Sequence, residues 1–284
     1  MSINICGIEW KNPVTTAAGT FALSASEGHY DISALGAITT KGVSSVPWLG
    51  NSTPRIAETY GGMLNSVGLE NPGVDAYISG ELKELKEKGV IVIANVAGHS
   101  TDEYLEVIRK LDATDVDMLE LNVSCPNVKE GGMAFGTDAH TVAALTGEAK
   151  KLTNKPVIVK LSPNVTDICE IAAAAEDAGA DALSMINTLL GMRIDTRTGK
   201  PVLANITGGL SGPAIKPIAI RMVYQAANRV SIPIIGMGGI MTGEDALEFL
   251  QAGAAAVAVG TAALTDPAAP ARIASELEDR GEYR

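Results

Sequence analysis

The stretch IPIIGMGGIMTGEDALEFLQAGAAAVAVGT, residues 232–261, contains one complete unit of the pattern that decides the fold. It opens on a short apolar run, IPIIGMGG (232–239), which predicts a strand. EDALEFLQAGA follows with helical periodicity and a glycine suited to a helix C′ position, and AAVAVGT (255–261) predicts a second strand. Strand, helix and strand in this order are the unit of a parallel α/β fold, because a parallel neighbour is reached only through a crossover.

Outward from this unit the alternation covers the chain. Strands are predicted at VTTAAGT (14–20), AITTKGV (37–43), VIVIANVAG (90–98), MLELNVS (118–124), PVIVKLS (156–162) and ALSMINT (182–188), which with the two above makes eight. Amphipathic stretches GELKELKEKG, DEYLEVIRKLDA and IAAAAEDAGA lie between them, each expected to end near a glycine. Eight strands with their helices close naturally into a barrel. An open doubly wound sheet usually carries GxGxxG after its first strand, and here that turn reads AAGTFAL. The expectation is therefore one domain over residues 1–284, a (β/α)8 TIM barrel. MSINICGIEWKNP reads as a short strand and turn, expected to form an N-terminal β-hairpin. Two connections, 44–73 and 189–212, exceed ordinary βα loops and are expected as inserted loops at the C-terminal face, where barrel enzymes build their sites.

Composition narrows the function. A net charge of −11 argues against a nucleic-acid partner. There is no long apolar run and no leader pattern, so the chain reads as cytoplasmic, without a membrane span. Cys6, Cys125 and Cys169 show no CxxC spacing, and His29, His99 and His140 are scattered, so no metal site is expected. His99 reads as a surface or loop histidine, and Cys6 and Cys169 as small buried hydrophobes.

The strand ends and following loops present Lys41, Asn65, Asn95, Asn122, Cys125, Asn127, Lys160, Asn187 and Thr188, with few carboxylates. Paired-acid hydrolysis would want Asp or Glu there. An asparagine offers both an acceptor and a donor, so several converging on one pocket suit a cyclic amide or pyrimidine; a single one is commonly a turn residue. The lysines suit a ligand carboxylate or an electron-rich ring. Lys160 interrupts an apolar strand, where a buried cation without a task is costly, unless it snorkels from the strand end. Cys125, in LELNVSCPN (119–127), sits at the mouth as a nucleophile or proton acceptor, followed by a loop with Gly131 and Gly132 as hinges. The turns GGLSG (208–212), GMGGI (236–240) and VGT (259–261) precede helices and suit a phosphate.

The segments TPRIAETYGGMLNSVGLENPG, IANVAG, LELNVSCPNVKEGGMAFGTD, VIVKLSPNV, MINTLLGMRIDTRTGKPVLANITGGLSGPAIKPIAIRMV, IPIIGMGGI and AVAVGTA resemble the class 1 dihydroorotate dehydrogenases, and among them the NAD-linked B-type catalytic subunits. The resemblance implies FMN over the barrel mouth and oxidation of dihydroorotate to orotate, with Cys125 taking the C5 proton while hydride leaves C6. It implies substrate contacts from Lys41, Asn65, Ser66, Val67, Gly68, Leu69, Asn122, Asn127, Asn187 and Thr188. It implies FMN contacts from Ala18, Lys41, Gly42, Asn95, Asn122, Lys160, Ile186, Gly212, Gly238, Gly239, Gly260 and Thr261, with Lys160 near the flavin pyrimidine and the last four at the phosphate. It further implies a homodimer of this chain joined to a subunit carrying FAD and [2Fe–2S], a heterotetramer. Class A relatives, which pass electrons to fumarate, share the cysteine; class 2 relatives use serine. Two departures stand out. Ala18 occupies a position usually held by serine, so a hydroxyl contact to FMN is expected to be missing or replaced by backbone, and the chain stops at Arg284, earlier than its relatives, with a short last helix expected. Two rival readings are another FMN barrel oxidoreductase acting on a dihydropyrimidine, and a phosphate-binding lyase or aldolase using Lys160 as a Schiff base.

Overall fold

The computed structural model describes residues 2–124 and 135–281. Eight parallel strands form its centre: β1 (Val14–Thr16), β2 (Ile38–Thr39), β3 (Val92–Val96), β4 (Met118–Asn122), β5 (Val157–Lys160), β6 (Ala182–Met185), β7 (Ile234–Met237) and β8 (Ala256–Val259). They pair in the order β1-β8-β7-β6-β5-β4-β3-β2, every ladder parallel. Each expected run supplies one strand, shorter than the run, because its last residues leave the ladder to shape the mouth of the barrel.

The two edge strands, β1 and β2, meet through side chains. The Thr16 hydroxyl accepts from the Thr39 N–H at 3.0 Å and donates to the Thr39 carbonyl at 2.9 Å. The Thr15 and Thr39 hydroxyls bond at 3.1 Å. A buried hydroxyl that both donates and accepts takes the place of a ladder pair, so the cylinder closes here.

Side chains alternate across the wall with period two. Along β3, Val92, Ala94 and Val96 pack outward in the layer shared with the helices, whereas Ile93 points into the barrel. Along β4, Leu119 and Leu121 face outward and Met118 inward, which gives Glu120 and Asn122 the inward parity of Met118. At the bottom, the hairpin Ile3–Ile5 and Ile8–Trp10 inserts Ile5 and Trp10 among Ile93, Met118, Ile158, Ala182, Ile235 and Ala256. Trp10 is fully buried, so that end of the barrel is packed shut.

Several helices of the outer layer start on side-chain caps: Ser100 accepts from the Glu103 N–H before Thr101–Asp112, and Thr242 and Asp245 form a capping box before Gly243–Gln251. Gly89, Gly179 and Gly253 follow helices with positive φ, as the sequence leads one to expect. Thr101–Asp112 departs from that expectation: it ends at Ala113, and Thr114 closes it by donating from both N–H and hydroxyl to the Leu111 carbonyl. The last helix, Ala269–Arg280, runs 12 residues and ends on Gly281 with φ of 64°. Among the described residues no helix is long and apolar enough to cross a membrane.

The two long connections carry more order than inserted loops. They join in one antiparallel sheet, ordered Leu189–Met192, Thr207–Ser211, Gly62–Asn65, Ile56–Thr59, so segments far apart in sequence are hydrogen-bonded side by side. A Cβ on Gly62 would lie 1.9 Å from the Ser211 carbonyl oxygen, so only glycine permits this approach.

Candidate active site

A cavity of about 460 Å³ opens at the C-terminal ends of the strands, within the range of small-molecule sites. It gathers Ala18 after β1, Lys41 and Gly42 after β2, Asn95 of β3, Asn122 of β4, Lys160 of β5, Ile186, Asn187 and Thr188 after β6, Gly238 and Gly239 after β7, and Gly260 and Thr261 after β8. The inserted sheet contributes Asn65, Ser66, Val67, Gly68 and Leu69 from one connection and borders Gly212 from the other. Of the expected site residues, Cys125 and Asn127 lie outside the described residues.

The deep wall is polar and charged. Lys160 is 5% exposed, Asn95 0% and Glu120 2%. Glu120 accepts from Asn95 Nδ2 at 2.6 Å through Oε1 and from the Ser184 hydroxyl at 2.6 Å through Oε2; Lys160 Nζ lies 3.8 Å from Oε1. The carboxylate therefore has two donors and an opposite charge, the conditions under which a buried charge is tolerated. Sequence reasoning singled out Lys160 and missed Glu120; its signal was an acidic residue inside the apolar MLELN run, two positions before Asn122. Nearer the mouth, burial holds the Lys41 ammonium below its ordinary pKa, Glu70 opposes that shift and Lys160 adds to it.

The amides nearer the mouth are oriented by neighbours. Asn187 Nδ2 donates to the Ser124 hydroxyl at 2.8 Å, and its Oδ1 accepts from the Thr188 N–H at 2.7 Å. Asn122 Oδ1 accepts from the Ser124 N–H at 3.3 Å, and its backbone carbonyl accepts from the Tyr104 hydroxyl at 2.5 Å. Asn164, also missed from sequence, donates to the Thr188 carbonyl at 3.0 Å and accepts from the Leu190 N–H at 2.9 Å, tying the strand end to the inserted sheet. The 65–69 segment is held by Asn51, which donates to the Ser66 carbonyl at 3.0 Å, and by buried Asn71, which donates to the Leu69 carbonyl at 2.8 Å. Leu69 has φ of 55°, a left-handed conformation uncommon for leucine that these bonds stabilise.

The glycine turns meet at the far end of the cavity. A Cβ on Gly212 would lie 2.6 Å from Gly62 Cα, and one on Gly239 2.8 Å from the Gly212 carbonyl oxygen. Bare backbone thus lines this end, with the Thr261 hydroxyl donating to the Ser211 hydroxyl at 2.8 Å beside it. Such a concavity of backbone and hydroxyl groups fits a phosphate, and the buried Asn95 Oδ1, which has no partner among the described residues, fits a ring N–H, so a phosphorylated heterocyclic cofactor suits the donor and acceptor set. Ala18 lines the cavity without a hydroxyl, and the hydroxyl of neighbouring Thr20 is turned to the Ala17 carbonyl at 2.8 Å.

Residues expected away from the chemistry are away from it. His99 stacks on Trp48 with centroids 3.9 Å apart. Cys6 and Cys169 are half-buried rather than buried. Cys6 lies in the hairpin turn with its thiol donating to the Asp181 carbonyl at 3.2 Å, because φ of 52° at a two-residue turn keeps it at the barrel's lower rim. Burial pushes its thiol up to about 11.

The family model described as "Dihydroorotate dehydrogenase" matches residues 1–280. The chain is 59% identical over 270 residues to the "Dihydroorotate dehydrogenase B (NAD(+)), catalytic subunit" of Alkaliphilus metalliredigens, covering 95% of this chain and 89% of that one. It is 58% identical over 279 residues to the protein of the same name from Lachnoclostridium phytofermentans, covering 98% and 93%. The counterpart from Geobacillus kaustophilus is 55% identical over 279 residues, covering 98% and 89%.

Proposed function

Because this chain belongs to the dihydroorotate dehydrogenase family, we propose that it oxidises dihydroorotate to orotate in pyrimidine biosynthesis as an FMN-dependent enzyme with NAD as final electron acceptor. The observation that carries this reading is the convergence, in one cavity, of the asparagine amides, Lys41 and Lys160 with a cradle of bare glycine backbone. A Schiff-base role for Lys160 is opposed by its buried pairing with Glu120 and would leave the converging amides without a task.

FMN, when bound, supplies the acceptor for the hydride leaving C6 of the substrate. Ala18, Gly42, Asn95, Lys160, Ile186 and Gly212, all lining the cavity, would hold FMN, with Lys160 toward the flavin pyrimidine and Gly238, Gly239, Gly260 and Thr261 at the phosphate. Lys41 and Asn122 serve both ligands. Lys41 and the Asn65–Leu69 segment hold the substrate carboxylate, its charge meeting the Lys41 ammonium. Asn122, Asn127, Asn187 and Thr188 match the alternating carbonyl and N–H groups of the ring. Cys125 acts as the base that removes the C5 proton.

The name "catalytic subunit" carried by the relatives supports a separate electron-transfer subunit. We read it as one carrying FAD and [2Fe–2S], joined to a dimer of this chain as a heterotetramer in the cytoplasm. Residues 1–284 form a single FMN-binding domain in this reading.

The test is anaerobic flavin reduction. FMN bound to the chain should bleach with dihydroorotate and not with dihydrouracil, and NAD reduction should require the partner subunit, whereas turnover with fumarate alone would point to the class A reaction. Cys125→Ala should keep FMN and orotate binding but slow bleaching about 10²–10⁴-fold at neutral pH, with Cys125→Ser recovering as pH rises. Wild-type rates in both variants would remove Cys125 from the base role.

A further inference from the structure

Glu120 is a buried charge at the deep wall of the cavity that the proposed reaction leaves without a task. It lies within β4 on the inward parity and is 2% exposed. A carboxylate only accepts hydrogen bonds, so the edge of Asn95 that faces it at 2.6 Å must be the NH₂. The carbonyl edge of the amide is thereby turned away from Glu120. That oxygen is buried, has no partner among the described residues, and belongs to a residue lining the cavity. Only glycine at position 42 leaves room for it, since a Cβ there would lie 2.5 Å from it. The Ser184 hydroxyl, at 2.6 Å from the other carboxylate oxygen, holds Glu120 in this pose. Lys160, 3.8 Å from Glu120, keeps its cationic head at the same wall.

We propose that Glu120 is a positioning residue for the cofactor ring: it fixes Asn95 as an acceptor toward the cavity and sets a negative charge behind Lys160. The wall then presents an acceptor next to a cationic donor. That pair complements the edge of a pyrimidine-type ring, where an N–H adjoins a carbonyl. The inference rests on the reading of the cavity as an FMN site.

The test compares wild type with Glu120→Gln, Glu120→Asp and Ser184→Ala, measuring FMN affinity of the apoprotein by fluorescence quenching and the midpoint potential of bound FMN. Glutamine offers a donor as well as an acceptor and no longer dictates the Asn95 orientation, so affinity should fall about tenfold. Its potential should rise, because a negative charge near the ring is gone while Lys160 stays. Aspartate keeps the charge but is a methylene too short to reach both donors, so affinity should fall with the potential close to wild type. A purely structural role would lower the melting temperature of both variants and leave the potential unmoved. Should Glu120→Gln fail to fold, Ser184→Ala, which keeps the charge and loosens the carboxylate, should still weaken FMN about threefold. Wild-type affinity and potential in Glu120→Gln, or unchanged affinity in Ser184→Ala, would overturn the proposal. A wild-type chain that takes up no FMN would instead overturn the functional reading, before any variant is compared.

Discussion

Lys41 carries its charge at a cost, and that cost gives the site a pH signature. Burial lowers its pKa in the folded chain, with Lys160 pushing the same way and Glu70 opposing. A lowered lysine pKa means that the folded state favours the neutral amine. The penalty for holding the ammonium is full below the folded pKa and fades as pH rises from there through the ordinary lysine pKa. An anion docked on Lys41 favours the protonated form. Orotate affinity should therefore be level near neutral pH and decline with rising pH before the ordinary lysine range is reached. Lys41→Met should weaken orotate about 10–100-fold at neutral pH and flatten that decline, as read by calorimetric titration across the alkaline range. Lys160 was legible in the sequence because a lysine in an apolar run is conspicuous, and Lys41 because it stands at the end of a predicted strand. Glu120 was not, because its meaning lies in Asn95 and Ser184, which other strands bring to it.

At the scale of elements, the seam between β1 and β2 is held chiefly by the Thr16 hydroxyl, which serves both a buried N–H and a buried carbonyl of Thr39, beside the Thr15–Thr39 hydroxyl pair. Thr16→Val keeps the shape and leaves both groups unsatisfied. It should destabilise the chain by about 2–4 kcal/mol in urea unfolding, with little change in the denaturant slope. The eight strands were legible because β-branched runs recur between helical segments, and their C-terminal ends share one face by the geometry of the fold. That single rule brought every described residue of the expected site into one cavity. The inserted sheet was not legible. Its strands are two connections' worth of short segments such as TGGLS and GMLN, too glycine-rich and brief to show period two, and their pairing is a tertiary choice. The glycines that hide the pattern are the ones that let Gly62 approach Ser211.

For the molecule as a whole, stability and chemistry are kept at opposite ends. Trp10 is fully buried at the bottom, in a layer of Ile93, Met118, Ile158 and Ile235, while the cavity lies above it. Trp10→Ala should cost about 3–5 kcal/mol through the void it leaves. Trp10→Phe should cost markedly less, since it also removes a buried indole N–H that has no partner among the described residues. FMN affinity should be the same in wild type and Trp10→Phe, as measured by fluorescence quenching alongside thermal unfolding. The hairpin was foreseen from the first residues, but its role as a plug depends on which strand starts converge beneath it.

Stoppering one end of the cylinder also dictates the order of traffic. With the lower end filled by Trp10 and its neighbours, the described residues leave the cavity open only toward the C-terminal ends of the strands. Whatever seats against Lys160 and Asn95 has to arrive first, and a planar substrate resting above it becomes its lid. Exchange of the deeper guest must then wait for the shallower one to depart, so product occupying the upper berth should slow loss of the lower one.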